Sequence, residues 1–118
     1  MPFLATKDQR GNPVLTGPKG DTIDLTVTST DTSVVWSGWT WLGQVRTNDS
    51  TATLKGTFSI VDSSTAQSLA LVCTMDAATT ATWTSGEVYK FAIQGTKAGV
   101  VKTFIDEGRI VVTDDIAV

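Results

Sequence analysis

From Asp21 onward, apolar and polar residues alternate with a period of two. Ile23, Leu25 and Val27 fall on one side of the chain and Asp24, Thr26 and Thr28 on the other, the pattern of a strand with one buried and one wet face. Trp39, Trp41, Gly43 and Val45 share a side opposite Thr40, Gln44 and Arg46. Leu54, Gly56, Phe58 and Ile60 then alternate with Thr53, Lys55, Thr57 and Ser59, which reads as one strand. Leu69, Leu71, Cys73 and Met75 share a face, and so do Tyr89, Phe91 and Ile93, opposed by Val88, Lys90, Ala92 and Gln94. Residues 101–105 and 109–113 read as two closing strands, interrupted by Asp106-Glu107-Gly108. Polar turn clusters separate these runs at Thr30-Asp31-Thr32-Ser33, Thr47-Asn48-Asp49-Ser50 and Gly95-Thr96-Lys97-Ala98-Gly99. About seven short strands with frequent turns predict an all-β fold, an Ig-like antiparallel β-sandwich.

Two segments depart from this rhythm. Residues 1–20 hold the breakers Gly11-Asn12-Pro13 and Gly17-Pro18-Lys19-Gly20 around a short apolar stretch at Val14-Leu15. They are expected to form an N-terminal arm or a loosely attached first strand, with the sandwich occupying residues 21–118. Residues 76–85 form the other exception. Asp76 is placed to cap a short helical turn carrying Ala77, Ala78, Ala81 and Trp83, and Ser85-Gly86 ends it. Trp83 is expected to plug one end of the sandwich.

Composition agrees with the pattern. The 118 residues suffice for one domain. Charged residues make up 18%, below the roughly 25% of an average domain, and β-branched threonine takes up much of the difference. A net charge of −3 with no basic run argues against a nucleic-acid partner. No apolar stretch approaches the roughly 20 residues of a membrane span. Met1 to Ala5 is too short for a secretory signal and lacks its basic start.

Candidate chemistry is sparse. The chain has no histidine, which removes Ser-His-Asp and Cys-His nucleophilic sites, His-ligated zinc and the commonest general base. Asp106-Glu107 and Asp114-Asp115 are neighbours whose side chains diverge on a strand. No spacing of acids resembles a calcium loop, and no glycine run matches a phosphate-binding loop. The expectation is a protein that is no enzyme and needs no cofactor or metal. Cys73, the single cysteine, lies in an apolar run and reads as a buried thiol. Tryptophan is the residue most open to a functional reading, with Trp36, Trp39 and Trp41 close together and Trp83 further on. Trp41 is expected in the core; for Trp36 and Trp39, core packing and a binding surface both remain open.

The order of elements resembles a family from tailed bacteriophages. The likeness rests on Lys19-Gly20-Asp21-Thr22 leading into a strand and on Trp36-Ser37-Gly38-Trp39-Thr40-Trp41-Leu42-Gly43-Gln44-Val45-Arg46. It continues through the turn at 76–86, Glu87-Val88-Tyr89-Lys90-Phe91-Ala92-Ile93 and Gly108-Arg109-Ile110-Val111-Val112-Thr113. Spanning residues 19–116, it resembles the small β-sandwich domain of baseplate upper proteins and of tail-collar proteins that anchor side fibres. The resemblance implies a virion structural protein, assembled in the host cytoplasm. It would be a small tail or collar adaptor, present as a homo-oligomeric ring or in multiple copies, that docks on tail, fibre or capsid proteins. It offers no catalytic residues. The alternatives are a capsid decoration protein, a carbohydrate-binding module using Trp36 or Trp39, and a bacterial surface Ig-like module. Candidate partner-binding residues are Phe3, Leu4, Val14 and Leu15 in the arm, with Trp36 and Trp39.

Overall fold

A computed structural model describes residues 3–113. The strands, in chain order, are β1 (Leu4–Lys7), β2 (Pro13–Pro18), β3 (Ile23–Ser29), β4 (Thr40–Thr47), β5 (Leu54–Thr57), β6 (Ser59–Asp62), β7 (Leu69–Met75), β8 (Val88–Lys97) and β9 (Val100–Thr113). One short helix, α1 (Ala77–Thr80), sits between β7 and β8. The strands form a six-stranded sheet in the order β1-β2-β9-β8-β4-β5 and a three-stranded sheet in the order β3-β7-β6. The alternation explains why the sheets face one another. Ile23, Leu25, Leu69, Leu71, Cys73 and Met75 from the smaller sheet are buried, and so are Leu15, Val45, Tyr89, Phe91, Ile93, Ile110 and Val112 from the larger.

This is the expected Ig-like sandwich. The order β3-β7-β6 corresponds to strands B, E and D of a variable-type immunoglobulin domain, and β9-β8-β4-β5 to G, F, C and C′. A tyrosine corner marks the start of strand F in that fold, and Tyr89 fills the role. Its hydroxyl accepts a hydrogen bond of 3.0 Å from the Thr84 backbone N–H, and the residue is buried. Two positions on, where antibody domains place a disulfide cysteine, stands Phe91, so apolar packing takes the place of the cross-link.

The structure differs from the sequence expectation in four places. The alternating run from Leu54 to Ile60 is divided between both sheets: β5 pairs with β4, and β6 with β7. The crossing is at Phe58, a buried residue whose N–H donates to the Gly43 carbonyl at 2.8 Å. The closing strands are one continuous β9. Phe91 pairs with Gly108, Ile93 with Ile105 and Gln94 with Thr103, so β9 carries extra residues that bulge out of register. The polar interruption is absorbed in the first bulge, and Phe104 is the extra residue of the second.

The third difference concerns the arm, whose described part is built into the sheet. β2 lies between β1 and β9, and its pairing with β9, from Val14↔Arg109 to Pro18↔Thr113, is parallel rather than antiparallel. Leu15 is 1% exposed in the main core, a burial that contributes about 1.5–3 kcal/mol. Fourth, β1 and β2 and the division at Phe58, offset by the merging of the two closing strands into β9, bring the strands to nine among the described residues. The helical turn lies where its cap placed it. The Asp76 side chain accepts from Thr79 N–H at 2.8 Å, and the buried Thr80 hydroxyl donates to the Asp21 carbonyl at 2.7 Å while accepting from Gly20 N–H at 3.1 Å. Trp83 closes that end of the sandwich, buried with its indole N–H on the Lys55 carbonyl at 3.0 Å.

Candidate functional site

The six residues proposed for partner contact divide by burial. Phe3 is buried over Gly17, where an added Cβ would come within 2.7 Å of the phenyl ring. Leu15 belongs to the core, and Trp36, at 3% exposure, is packed with its indole N–H on the Asp31 carbonyl at 2.9 Å. These three hold the fold together and are not surface contacts. Leu4 is 67% exposed on the edge strand β1. Val14 and Trp39 are half-buried.

Trp39 belongs to an aromatic cluster at the end of the sandwich opposite Trp83. Phe104 stands at its centre, with ring centroids 5.5 Å from Trp36, 5.7 Å from Trp39 and 5.0 Å from Trp41. The β9 bulge aims Phe104 there, as bulges commonly redirect a side chain. Trp39 and Trp41 lie 5.9 Å apart, tilted by 32°, over Gly95, where any Cβ would meet both indoles at about 3 Å. Lys97 Nζ sits 5.9 Å from the Trp39 ring, and the Trp39 indole N–H donates to the Val35 carbonyl at 2.8 Å. The Trp41 indole N–H donates to Asp62 Oδ2 at 3.1 Å. Burial pushes the Asp62 carboxyl up, but hydrogen bonds from Ser64 and Trp41 outweigh it and leave the group below its ordinary range. All three indole donors are thus satisfied internally, and the cluster acts first as a seal on the core. Trp39 and Trp41 still show part of their faces to solvent.

Beyond that end, the sandwich presents two outer sheet faces. On the three-stranded sheet, register aligns Thr26 with Val72 and Val72 with Val61, and the neighbouring row runs Asp24, Thr74, Ser59. Val72 is 38% exposed and Val61 59%. Asp24 is the only charged residue in these two rows. The six-stranded sheet presents a hollow of about 270 Å³ lined by Leu42, Gln44, Arg46, Lys90, Ala92 and Gln94 with part of Phe91.

Neither face was singled out by the spacing of residues. Each becomes visible only through cross-strand register, and the bulges in β9 hide the register that brings Phe104 to the tryptophans. Among the described residues no group of three or more His, Cys, Asp or Glu side chains could hold a metal ion. Cys73 is fully buried, and burial pushes its thiol up to about 11, which leaves it protonated and unreactive at neutral pH. No described helix is long and apolar enough to cross a membrane. No protein-family model and no curated protein matches this chain.

Proposed function

We propose that the chain is a structural subunit of a tailed-bacteriophage particle, a small tail or collar adaptor present in several copies and docking on neighbouring virion proteins. The observation that carries this reading is the outer face of β3-β7-β6. Its central row of Thr26, Val72 and Val61 is neutral, with the valines exposed. A face of β-branched side chains with one charge in two rows loses little on desolvation, and charge is depleted from the cores of protein interfaces. β6 is also the edge of its sheet and can accept a strand from a partner.

The test is mass by light scattering on the isolated protein, followed by capture assays against any tail, collar and fibre proteins encoded in the same genome. The expected result is self-assembly, or assembly on one of those partners, that is lost in Val72→Lys. That side chain points outward from the central strand, so the charge leaves pairing intact. A persistent monomer that captures none of them overturns the reading.

A second reading has an observation of its own, the half-exposed pair Trp39 and Trp41, which offers aromatic faces to a sugar. Saturable change of tryptophan fluorescence on adding oligosaccharides, abolished in Trp39→Ala, would favour a carbohydrate-binding module. A flat response across a broad glycan panel would end it.

A further inference from the structure

The outer face of the six-stranded sheet carries a row of cations that only register reveals. Arg46 on β4 pairs with Lys90 on β8, and Lys90 pairs with Arg109 on β9. All three point away from the core, because Val45, Tyr89, Gly108 and Ile110 beside them are buried. With strands about 4.8 Å apart, the row crosses about 10 Å of surface. It gathers three of the nine Lys and Arg residues of a chain whose net charge is −3. Like charges directly opposite one another across strands weaken a sheet. The row therefore carries a repulsion that neutral polar residues at these positions would not.

We propose that this face binds an acidic polypeptide segment, with Arg46, Lys90 and Arg109 receiving its carboxylates. Three features fit a peptide. Arg46 is held in place by its own hydrogen bonds, to the Ala52 carbonyl at 3.0 Å and Gln44 Oε1 at 3.0 Å, so its guanidinium is oriented before a ligand arrives. The hollow beside it has two amides, Gln44 and Gln94, that can pair with a peptide backbone, while Leu42 and Ala92 give an apolar floor for side-chain carbons. The carboxylates near the row are held by other groups. Asp49 accepts from the Thr47 hydroxyl and the Ala52 and Thr51 N–H groups, with Lys90 the smallest influence on it, and Glu107 lies 3.7 Å from Arg10. The acidic balance of the whole chain disfavours a long polyanion such as a nucleic acid, whereas a short acidic segment meets the cations locally.

The experiment measures fluorescence anisotropy of a dye-labelled octaglutamate peptide with the intact chain, beside an octaglutamine control and competition by an oligonucleotide and by polyphosphate. Saturable binding to the glutamate peptide alone is expected, weakening as salt rises. The Arg46→Gln/Lys90→Gln double variant should bind at least about tenfold more weakly, and Lys102→Gln, which removes a cation outside the row, should bind as the parent does. Tryptophan emission confirms that each variant is folded, and Lys90→Gln alone replaces the double variant if that one is not. No binding, equal binding by the neutralised variant, or tighter binding of the oligonucleotide or polyphosphate overturns the proposal. The assay uses neither the opposite sheet nor any virion protein, so its failure is distinct from failure of the particle-docking reading.

Discussion

Gly108→Ala puts the packing of the larger sheet to a test in which two effects have opposite signs. Glycine to alanine usually stabilises a strand by restricting the unfolded chain, by about 0.4–1 kcal/mol where the backbone suits both residues. Here the new methyl would stand 2.4 Å from Phe91 Cε1, 2.5 Å from Cζ and 2.7 Å from Cδ1. Carbon atoms in contact prefer about 3.5–4.0 Å, so the ring must move by roughly an ångström. Phe91 is 1% exposed and packs edge-on against Phe58 with centroids 5.8 Å apart, which leaves it little room. Overpacking of this kind costs about 1–3 kcal/mol, and it outweighs the entropic gain. The expected net loss is about 1–2 kcal/mol. It is read as a lower midpoint in urea unfolding followed by tryptophan emission, with the slope unchanged. Adding Phe91→Leu to Gly108→Ala should restore part of the loss, so that the two changes couple in a double-mutant cycle. A midpoint equal to or above the parent's, or strict additivity in the cycle, refutes the account of Gly108 as a seat for Phe91.

Three further outcomes follow from other contacts. Tyr89→Phe removes the acceptor for Thr84 N–H and should cost about 1 kcal/mol, seen as a fall of a few degrees in Tm. Leu15→Ala should cost about 2–5 kcal/mol in urea unfolding, because β2 belongs to the core; a loss below about 0.5 kcal/mol would show the segment to be a detachable arm after all. Asp62 has a folded-state carboxyl held below its ordinary 3.8, so its contribution is present above that value and lost as pH falls through the lower folded one. In an acid titration followed by tryptophan emission, Asp62→Asn should flatten the part of the transition that reports Trp41.

The sequence made the inner faces legible because period-two alternation is imposed by the pleat. Ile23, Leu71 and Ile93 must point inward wherever their strands lie, so local order is enough to find them. What alternation cannot show is which sheet a strand joins. The run through Phe58 keeps perfect rhythm while passing from β4's partner to β7's, since a residue buried at the junction of two sheets looks the same as one buried in either. The glycines and prolines of residues 11–20 suggested looseness. Pro13 and Pro18 instead lie at the two ends of β2, where a missing N–H is least disruptive, and Gly17 makes room for Phe3. Trp36 fell on the buried side because its ring completes a cluster around Phe104, and the β9 bulge that turns Phe104 there leaves no trace in hydrophobic order. The binding surfaces stayed hidden for a related reason: Arg46, Lys90 and Arg109 are remote in sequence and meet only across three strands.

Outward-facing positions are where a sandwich is least constrained by its own folding. The inner positions must be apolar, but outside them threonine, lysine or glutamine serve the strand almost equally, and a surface chosen for solubility alone would mix charges of both signs. The two outer faces of this chain are unlike each other and unlike that mixture. One presents a neutral row of Thr26, Val72 and Val61, the other a same-sign row of Arg46, Lys90 and Arg109. The neutral face suits a contact made by area and shape, which is slow to dissociate and indifferent to salt. The cationic face suits one made by charge, which forms fast and weakens with salt. Under the docking role proposed above, a subunit that stays in a particle while holding a second, exchangeable component would use both kinds at once. Because the faces lie on opposite sheets with the core between them, Val72→Lys and Lys90→Gln should act additively, the first removing one interaction and the second weakening the other, each sparing its counterpart. Loss of both interactions from either substitution alone would show that the two faces serve a single partner.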